Sequence, residues 1–130
     1  MSTTLIILVI GRALVASLFF LGGVNKVFSY SETLLDMNAA GLEPSALLLP
    51  LTIIFEVGGG LAVMCGGRPA IAAAPLLAAF TLATNVFFHQ FWAFDGPMAQ
   101  IELSLFFKNV SIAGALLYIA AASKMADQPK

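Results

Sequence analysis

The sequence contains very little charge. Only 10% of its 130 residues are charged and 60% are hydrophobic, whereas an ordinary soluble domain carries roughly 25% charged residues. A soluble protein of this size could not bury so many apolar side chains, because a small domain leaves much of its surface in water. The same composition excludes a disordered chain, which has more charge and fewer aromatic residues. We therefore expect one small unit surrounded mostly by lipid.

Basic residues, cysteine and histidine are also scarce. Six lysines and arginines stand against seven acidic residues, and the net charge is −1, so nucleic acid is excluded as a partner. The single cysteine, Cys65, cannot form an intramolecular disulfide. With one cysteine and one histidine we predict no metal site. Neither a phosphate-binding glycine loop nor a nucleophile motif points to an enzyme, so that question stays open.

Four apolar stretches are long enough to cross a bilayer, which takes about 20 residues each. They cover approximately residues 4–24, 46–65, 70–91 and 99–122. None shows the two-residue alternation of a membrane β-barrel strand. We predict an all-α polytopic membrane protein, a four-transmembrane-helix bundle in which residues 1–130 form a single domain with no separate soluble part.

The connections between the spans carry two further expectations. In the long first loop, Ser31 is expected to cap a short helix that ends at Gly41. Small residues recur at every fourth position on the second and third spans and are expected to face each other across a close helix–helix contact. These residues are Gly58, Ala62 and Gly66 on one span and Ala70, Ala74 and Ala78 on the other.

The distribution of basic residues predicts the orientation of the bundle. Four spans place both termini on the same side of the membrane. That side contains Arg68, Lys124 and Lys130, whereas the opposite side contains Lys26 among several acidic residues. The excess of basic residues on cytoplasmic loops therefore predicts that both termini are cytoplasmic.

Three charged residues interrupt the apolar spans, namely Arg12, Glu56 and Lys108. A charge at the bilayer centre costs about 2.5–3.5 kcal/mol on insertion scales, and such residues usually face the interior of a helix bundle. At about 1.5 Å per residue, the three positions fall within about 5 Å of one depth. We therefore expect one buried polar cluster in which Glu56 is the shared anion.

Helical periodicity adds polar residues to this predicted cluster. Ser104, Lys108, Ser111 and Ala115 are expected to form the inward stripe of the fourth span. Lys26 and Glu102 lie near the interface and are expected to reach water. The candidate site, either a ligand pocket or a salt-bridge network that only fixes packing, consists of Arg12, Glu56, Asn85, His89, Lys108 and Asn109.

Short motifs on the four spans resemble those of a known family. They are Gly11-Arg12-Ala13-Leu14, Phe55-Glu56-Val57-Gly58-Gly59-Gly60, Phe87-Phe88-His89-Gln90-Phe91-Trp92 and Phe107-Lys108-Asn109-Val110. In this order, and over about residues 8–122, they resemble the DoxX family of small four-helix membrane proteins. The resemblance implies a bacterial or archaeal cytoplasmic (inner) membrane. It also implies similarity to the small membrane subunit of thiosulfate:quinone oxidoreductase, and some relatives are described as membrane partners of oxidative-stress and sulfur-transfer enzymes.

Three functions fit these observations. The first is a subunit of, or accessory to, a membrane redox complex whose polar cluster binds a quinone or another small ligand. The second is a purely structural subunit that docks a larger enzyme. The third is a permease for a small molecule or ion, which at this size would need to oligomerise. Quinone is thus the one cofactor suggested, and the expected partners are lipid and either a larger membrane complex or further copies of this chain.

Overall fold

The computed structural model describes residues 2–128, and the chain there is helical with no strand. Its α-helices are α1 (Thr3–Phe28), α2 (Tyr30–Ala39), α3 (Ser45–Cys65), α4 (Gly67–Phe88) and α5 (Gly96–Ala126), with a short 3-10 helix at Phe91–Ala93. Within the described residues, four helical segments are long and apolar enough to cross a membrane. The predicted all-α fold with four spans is confirmed. Lys130, used above for orientation, lies outside the described residues.

The helices extend beyond the apolar stretches that predicted them. α1 continues past residue 24 to Phe28, and the backbone N–H of Ser29 still donates to the carbonyl of Asn25. α5 begins at Gly96, where Pro97 suits the first turn, and runs to Ala126. Hydropathy marks only the part of a helix that lies in the hydrocarbon, whereas the backbone hydrogen bonding continues into the polar interface.

The first loop contains the expected short helix, but its start differs from the prediction. α2 begins at Tyr30 with Ser29 at its N-cap, so the predicted cap Ser31 lies inside the helix. Met37 is buried, and the side chains of Asn38 and Ser45 form a hydrogen bond that joins α2 to the start of α3. α2 is therefore packed over one end of the bundle.

The helices pack in the order α1–α3–α4–α5, and α5 makes few contacts with α1. The core lies along the inner faces of the four long helices. It comprises Ala16, Phe19, Val63, Ala74, Leu77, Ala78, Ala113, Leu116 and Ile119. Because the last helix barely closes against the first, one side of the bundle stays open.

The small residues predicted to face each other differ in burial: those of α4 are buried, whereas Gly58 of α3 is not. Ala70, Ala74 and Ala78 are buried. Gly58, however, is exposed and has open space around it, whereas Gly60 packs against α1. Neighbouring positions on a helix differ by about 100° of rotation. α3 packs more extensively on α1 than on α4, and Gly59, which was not in the predicted set, is the glycine that lies against Leu77 of α4.

Candidate functional site

Glu56 is buried on α3 and pairs with Lys26 of α1. The Lys26 Nζ lies 2.8 Å from Oε2 and 3.2 Å from Oε1 of Glu56, and the hydrogen-bond geometry is satisfied at Oε1. Among residues 2–128, no group hydrogen-bonds to the buried Oε2. The contact to Oε2 is therefore an ion-pair contact without hydrogen-bond geometry. Because a carboxylate oxygen can accept more than one hydrogen bond, Oε2 can still accept one from a ligand.

The structure therefore assigns Lys26, rather than Arg12 or Lys108, as the cation beside Glu56. Lys26 was expected at the interface, because the first span was predicted to end near residue 24. In the structure Lys26 is within α1, which ends at Phe28, and its side chain is only 28% exposed. The available signal was its position on the same helical stripe as Ala16, Phe19 and Gly23, all of which are buried.

His89 forms a second polar contact, with Glu102. His89 is the C-cap of α4, and its Nδ1 lies 2.9 Å from Oε2 of Glu102 on α5. Both side chains are largely buried. Glu102 was expected to reach water. Instead it holds the imidazole at the end of α4, so that the other ring nitrogen, Nε2, is left for a different partner.

Asn85 and Asn109 link α4 to α5. The Asn109 Nδ2 donates to Oδ1 of Asn85 at 2.9 Å, and the Asn85 Nδ2 donates to the carbonyl of Phe106 at 3.1 Å. Asn85 is buried. One amide–amide hydrogen bond and one amide–backbone hydrogen bond thus join α4 to α5, and we call this pair of contacts the interhelical clamp.

A cavity of about 620 Å³ brings several of these groups together, and we call it the α2 cavity. It lies between α1, α2, α3 and α4, with Asn109 of α5 also on its wall. Its aromatic lining is Phe19, Phe80, Phe87 and Phe88, and its polar lining includes Lys26, Asp36, Thr52, Glu56, Thr81, Thr84, His89 and Asn109. Asn85 stands behind this wall, because it hydrogen-bonds to Asn109 without lining the cavity.

Arg12 does not join this site. Its Nε donates to the carbonyl of Met64 at 2.9 Å, and its guanidinium lies against Gly66 at the far end of α3. About 12 Å of helix separates Met64 from Glu56. The predicted common depth is wrong because α1 continues to Phe28, which moves Arg12 to about 24 Å from that end of the helix.

Lys108 is also outside the cavity. It is exposed on α5, and so are Ser104 and Ser111, which were expected to form the inward stripe with it. The face of α5 that packs on the bundle carries Ala113, Leu116, Ile119 and Ser123. Lys108 and Asn109 are adjacent, so the rotation that turns Asn109 inward turns Lys108 outward. The prediction of a single Arg12–Glu56–Lys108 cluster is therefore incorrect.

Comparison with known proteins agrees with this architecture. The family model named DoxX matches residues 7–90, which is more than half of the chain. The chain belongs to the DoxX family. Inner membrane protein YqjF of Escherichia coli (strain K12) is 35% identical to this DoxX protein over 111 residues, which are 85% of this chain and 79% of YqjF. Inner membrane protein YphA of the same strain is 31% identical over 117 residues, which are 88% of this chain and 81% of YphA. No solved structure matches.

Proposed function

We propose that this DoxX protein is the membrane subunit of a redox complex and binds a quinone in the α2 cavity. The observation that carries the proposal is the combination of an aromatic wall with a buried lysine–carboxylate pair in one cavity of a membrane bundle. Ligand pockets of about 300–1,000 Å³ with a mostly apolar lining and a few polar groups are typical of small-molecule sites. A volume of about 620 Å³ lies within this range.

The polar groups of the cavity match both redox forms of a quinone. An oxidised ring presents carbonyl oxygens, for which the Lys26 ammonium is a donor. A reduced ring presents hydroxyl groups, for which the Glu56 carboxylate, including Oε2, is an acceptor. Phe19, Phe80 and their neighbours provide the apolar surface that the ring requires.

A bound quinone would supply two-electron, two-proton chemistry, for which the partner subunit would provide the two electrons and the aqueous phase the two protons, one after the other through Glu56. The residues of this chain bind the ring, exclude water and hold a proton close to it. Glu56 is the buried acidic group of the cavity that would take up and release protons, and Lys26 holds its side chain in position through contacts to both carboxylate oxygens. Glu102 positions the imidazole of His89 at the cavity wall.

The test is quinone retention by the purified protein in lipid nanodiscs. A short-chain ubiquinone and a menaquinone analogue are titrated separately, and the bound fraction is quantified by extraction and absorbance. We expect Glu56→Gln and Lys26→Gln each to weaken binding about ten-fold, because each removes a charged hydrogen-bond partner. Lys108→Gln is the matched control, since this lysine is exposed outside the cavity. Equal binding by all four proteins would contradict the proposal.

One observation favours a second candidate, the structural subunit that docks a larger enzyme. The Lys26–Glu56 pair joins α1 to α3, so it also stabilises the bundle. If the pair is only structural, Glu56→Gln and Lys26→Gln lower the midpoint of thermal unfolding while quinone retention stays at the level of Lys108→Gln.

A further inference from the structure

The open side of the bundle forms a groove between α1 and α5 near the α3–α4 turn. This α1–α5 groove has a volume of about 450 Å³, and its walls are mostly apolar. They include Leu5, Leu8, Val15, Tyr118, Ile119 and Ala122. Since α1 and α5 barely touch, the groove opens between them to the outside of the bundle, and it shares no lining residue with the α2 cavity.

Arg12 lies on the wall of this groove with its charge uncompensated. Its Nε bonds to the Met64 carbonyl, which leaves the four N–H groups of the terminal nitrogens. In the described part of the chain, no carboxylate is within ion-pair distance of Arg12. Asp127 also lines the groove, but it pairs with Arg68 at 3.2 Å. A guanidinium in apolar surroundings requires an anion or further acceptors.

From this arrangement we propose that the α1–α5 groove binds an anionic phospholipid. The lipid phosphate accepts hydrogen bonds from the terminal nitrogens of Arg12, since guanidinium and phosphate pair in a forked geometry. One acyl chain lies along the apolar walls that α1 and α5 provide. The hydroxyl of Ser123, on the same wall, is a second donor for the headgroup.

The charges of this chain favour a lipid over a second copy as the occupant. A second copy would have to bring a carboxylate on an apolar helix face to the level of Arg12. Within the membrane-spanning helices the acidic residues are Glu56 and Glu102, and both are already paired on the inside of their own bundle. A phospholipid combines one anionic group with an apolar tail, which is the chemistry that the groove presents.

The test is native mass spectrometry of the full-length protein with phosphatidylglycerol or phosphatidylcholine of identical acyl chains. We expect about ten-fold stronger retention of phosphatidylglycerol, and we expect Arg12→Gln to abolish the difference. Lys124→Gln is the matched control, because it removes an exposed charge from the same end of the bundle without touching the groove.

A second variant keeps the test decisive if Arg12→Gln does not fold. Ala122→Trp fills the groove and leaves Arg12 in place, and we expect it to lower phosphatidylglycerol retention about ten-fold. Three outcomes would overturn the proposal: equal retention of the two lipids by the unmodified protein, an equal loss in Lys124→Gln, or a lipid-free dimer that Ala122→Trp disrupts.

Discussion

Gly60 lies where α3 packs directly against the backbone of α1. A Cβ at this position would be 2.9 Å from the backbone nitrogen of Phe20 and 3.1 Å from the carbonyl oxygen of Ala16. Neither atom belongs to a flexible side chain, so α1 itself would have to move. Glycine is therefore required here because the two helices are so close, and not because the backbone of α3 adopts an unusual conformation.

We expect Gly60→Ala to lower the free energy of unfolding by about 1–3 kcal/mol, the usual cost of overpacking a close contact. Gly58→Ala is the control, because a Cβ at Gly58 meets nothing within 4 Å and alanine favours helix. The measurement is unfolding of the purified proteins in mixed micelles by a denaturing detergent. Equal stability of the two variants would show that α1 can shift to accommodate the added methyl group with no measurable loss in the free energy of unfolding.

At the scale of helices, the clamp between α4 and α5 is formed by Asn85 and Asn109. Polar contacts between membrane helices contribute about 0.6 kcal/mol on average, because the unfolded state in the membrane also finds partners. The clamp therefore helps to set the rotation of α5 rather than supplying most of its stability, which comes from the packing of its apolar face.

A double-mutant cycle measures this contact. We expect Asn85→Ala and Asn109→Ala together to destabilise the bundle less than the sum of the single variants, with a coupling of about 0.6 kcal/mol. Ser111→Ala is the control, since the Ser111 hydroxyl bonds within its own helix. A coupling of zero would show that the two amides act independently.

For the whole molecule, orientation in the membrane is an expectation that follows from the charges. Arg68 and Lys124 lie at the end of the bundle where Arg12 contacts the α3–α4 turn, whereas most acidic residues lie at the end covered by α2. The basic end is expected to face the cytoplasm.

Cysteine labelling tests the orientation. Cys65 is exposed next to the α3–α4 turn, so we expect a membrane-impermeant maleimide to label it in inside-out vesicles and not in spheroplasts. In a Cys65→Ser background, Ser31→Cys places a thiol on the exposed surface of α2 at the other end and should show the opposite pattern. Reversed patterns would place both termini outside the cytoplasm.

Much of the fold could be predicted because lipid imposes a simple rule on the chain. A segment crossing the hydrocarbon must satisfy its own backbone hydrogen bonds, so a long apolar run becomes a helix. Periodicity then gave the inward face of α1, on which Ala16 and Phe19 are buried, and the inward position of Glu56 on α3. Helix formation and the direction of the inward face depend on the sequence of one helix alone, so both could be predicted.

The site could be predicted only in part. Glu56, His89 and Asn109 do line the α2 cavity, but which charges meet depends on relations between helices. A four-residue error at the end of α1 placed Arg12 beside Glu56 and left Lys26 at the surface. On α5 the polar stripe of Ser104 and Lys108 suggested an interior, yet packing turned that face outward. Polar residues alone do not show which side of a membrane helix meets protein.

The sequence by itself determined that this DoxX protein spans a membrane four times and buries a carboxylate at Glu56, because hydropathy and length are local properties of the chain. Only the tertiary structure decided that Lys26 is the partner of Glu56 and that Arg12 lies in a separate groove. The physical reason is geometric. The end points of the helices, their rotation and their packing neighbours determine which charged side chains come together. Because this chain has few charges, the Lys26–Glu56 pair and Arg12 mark two separate sites.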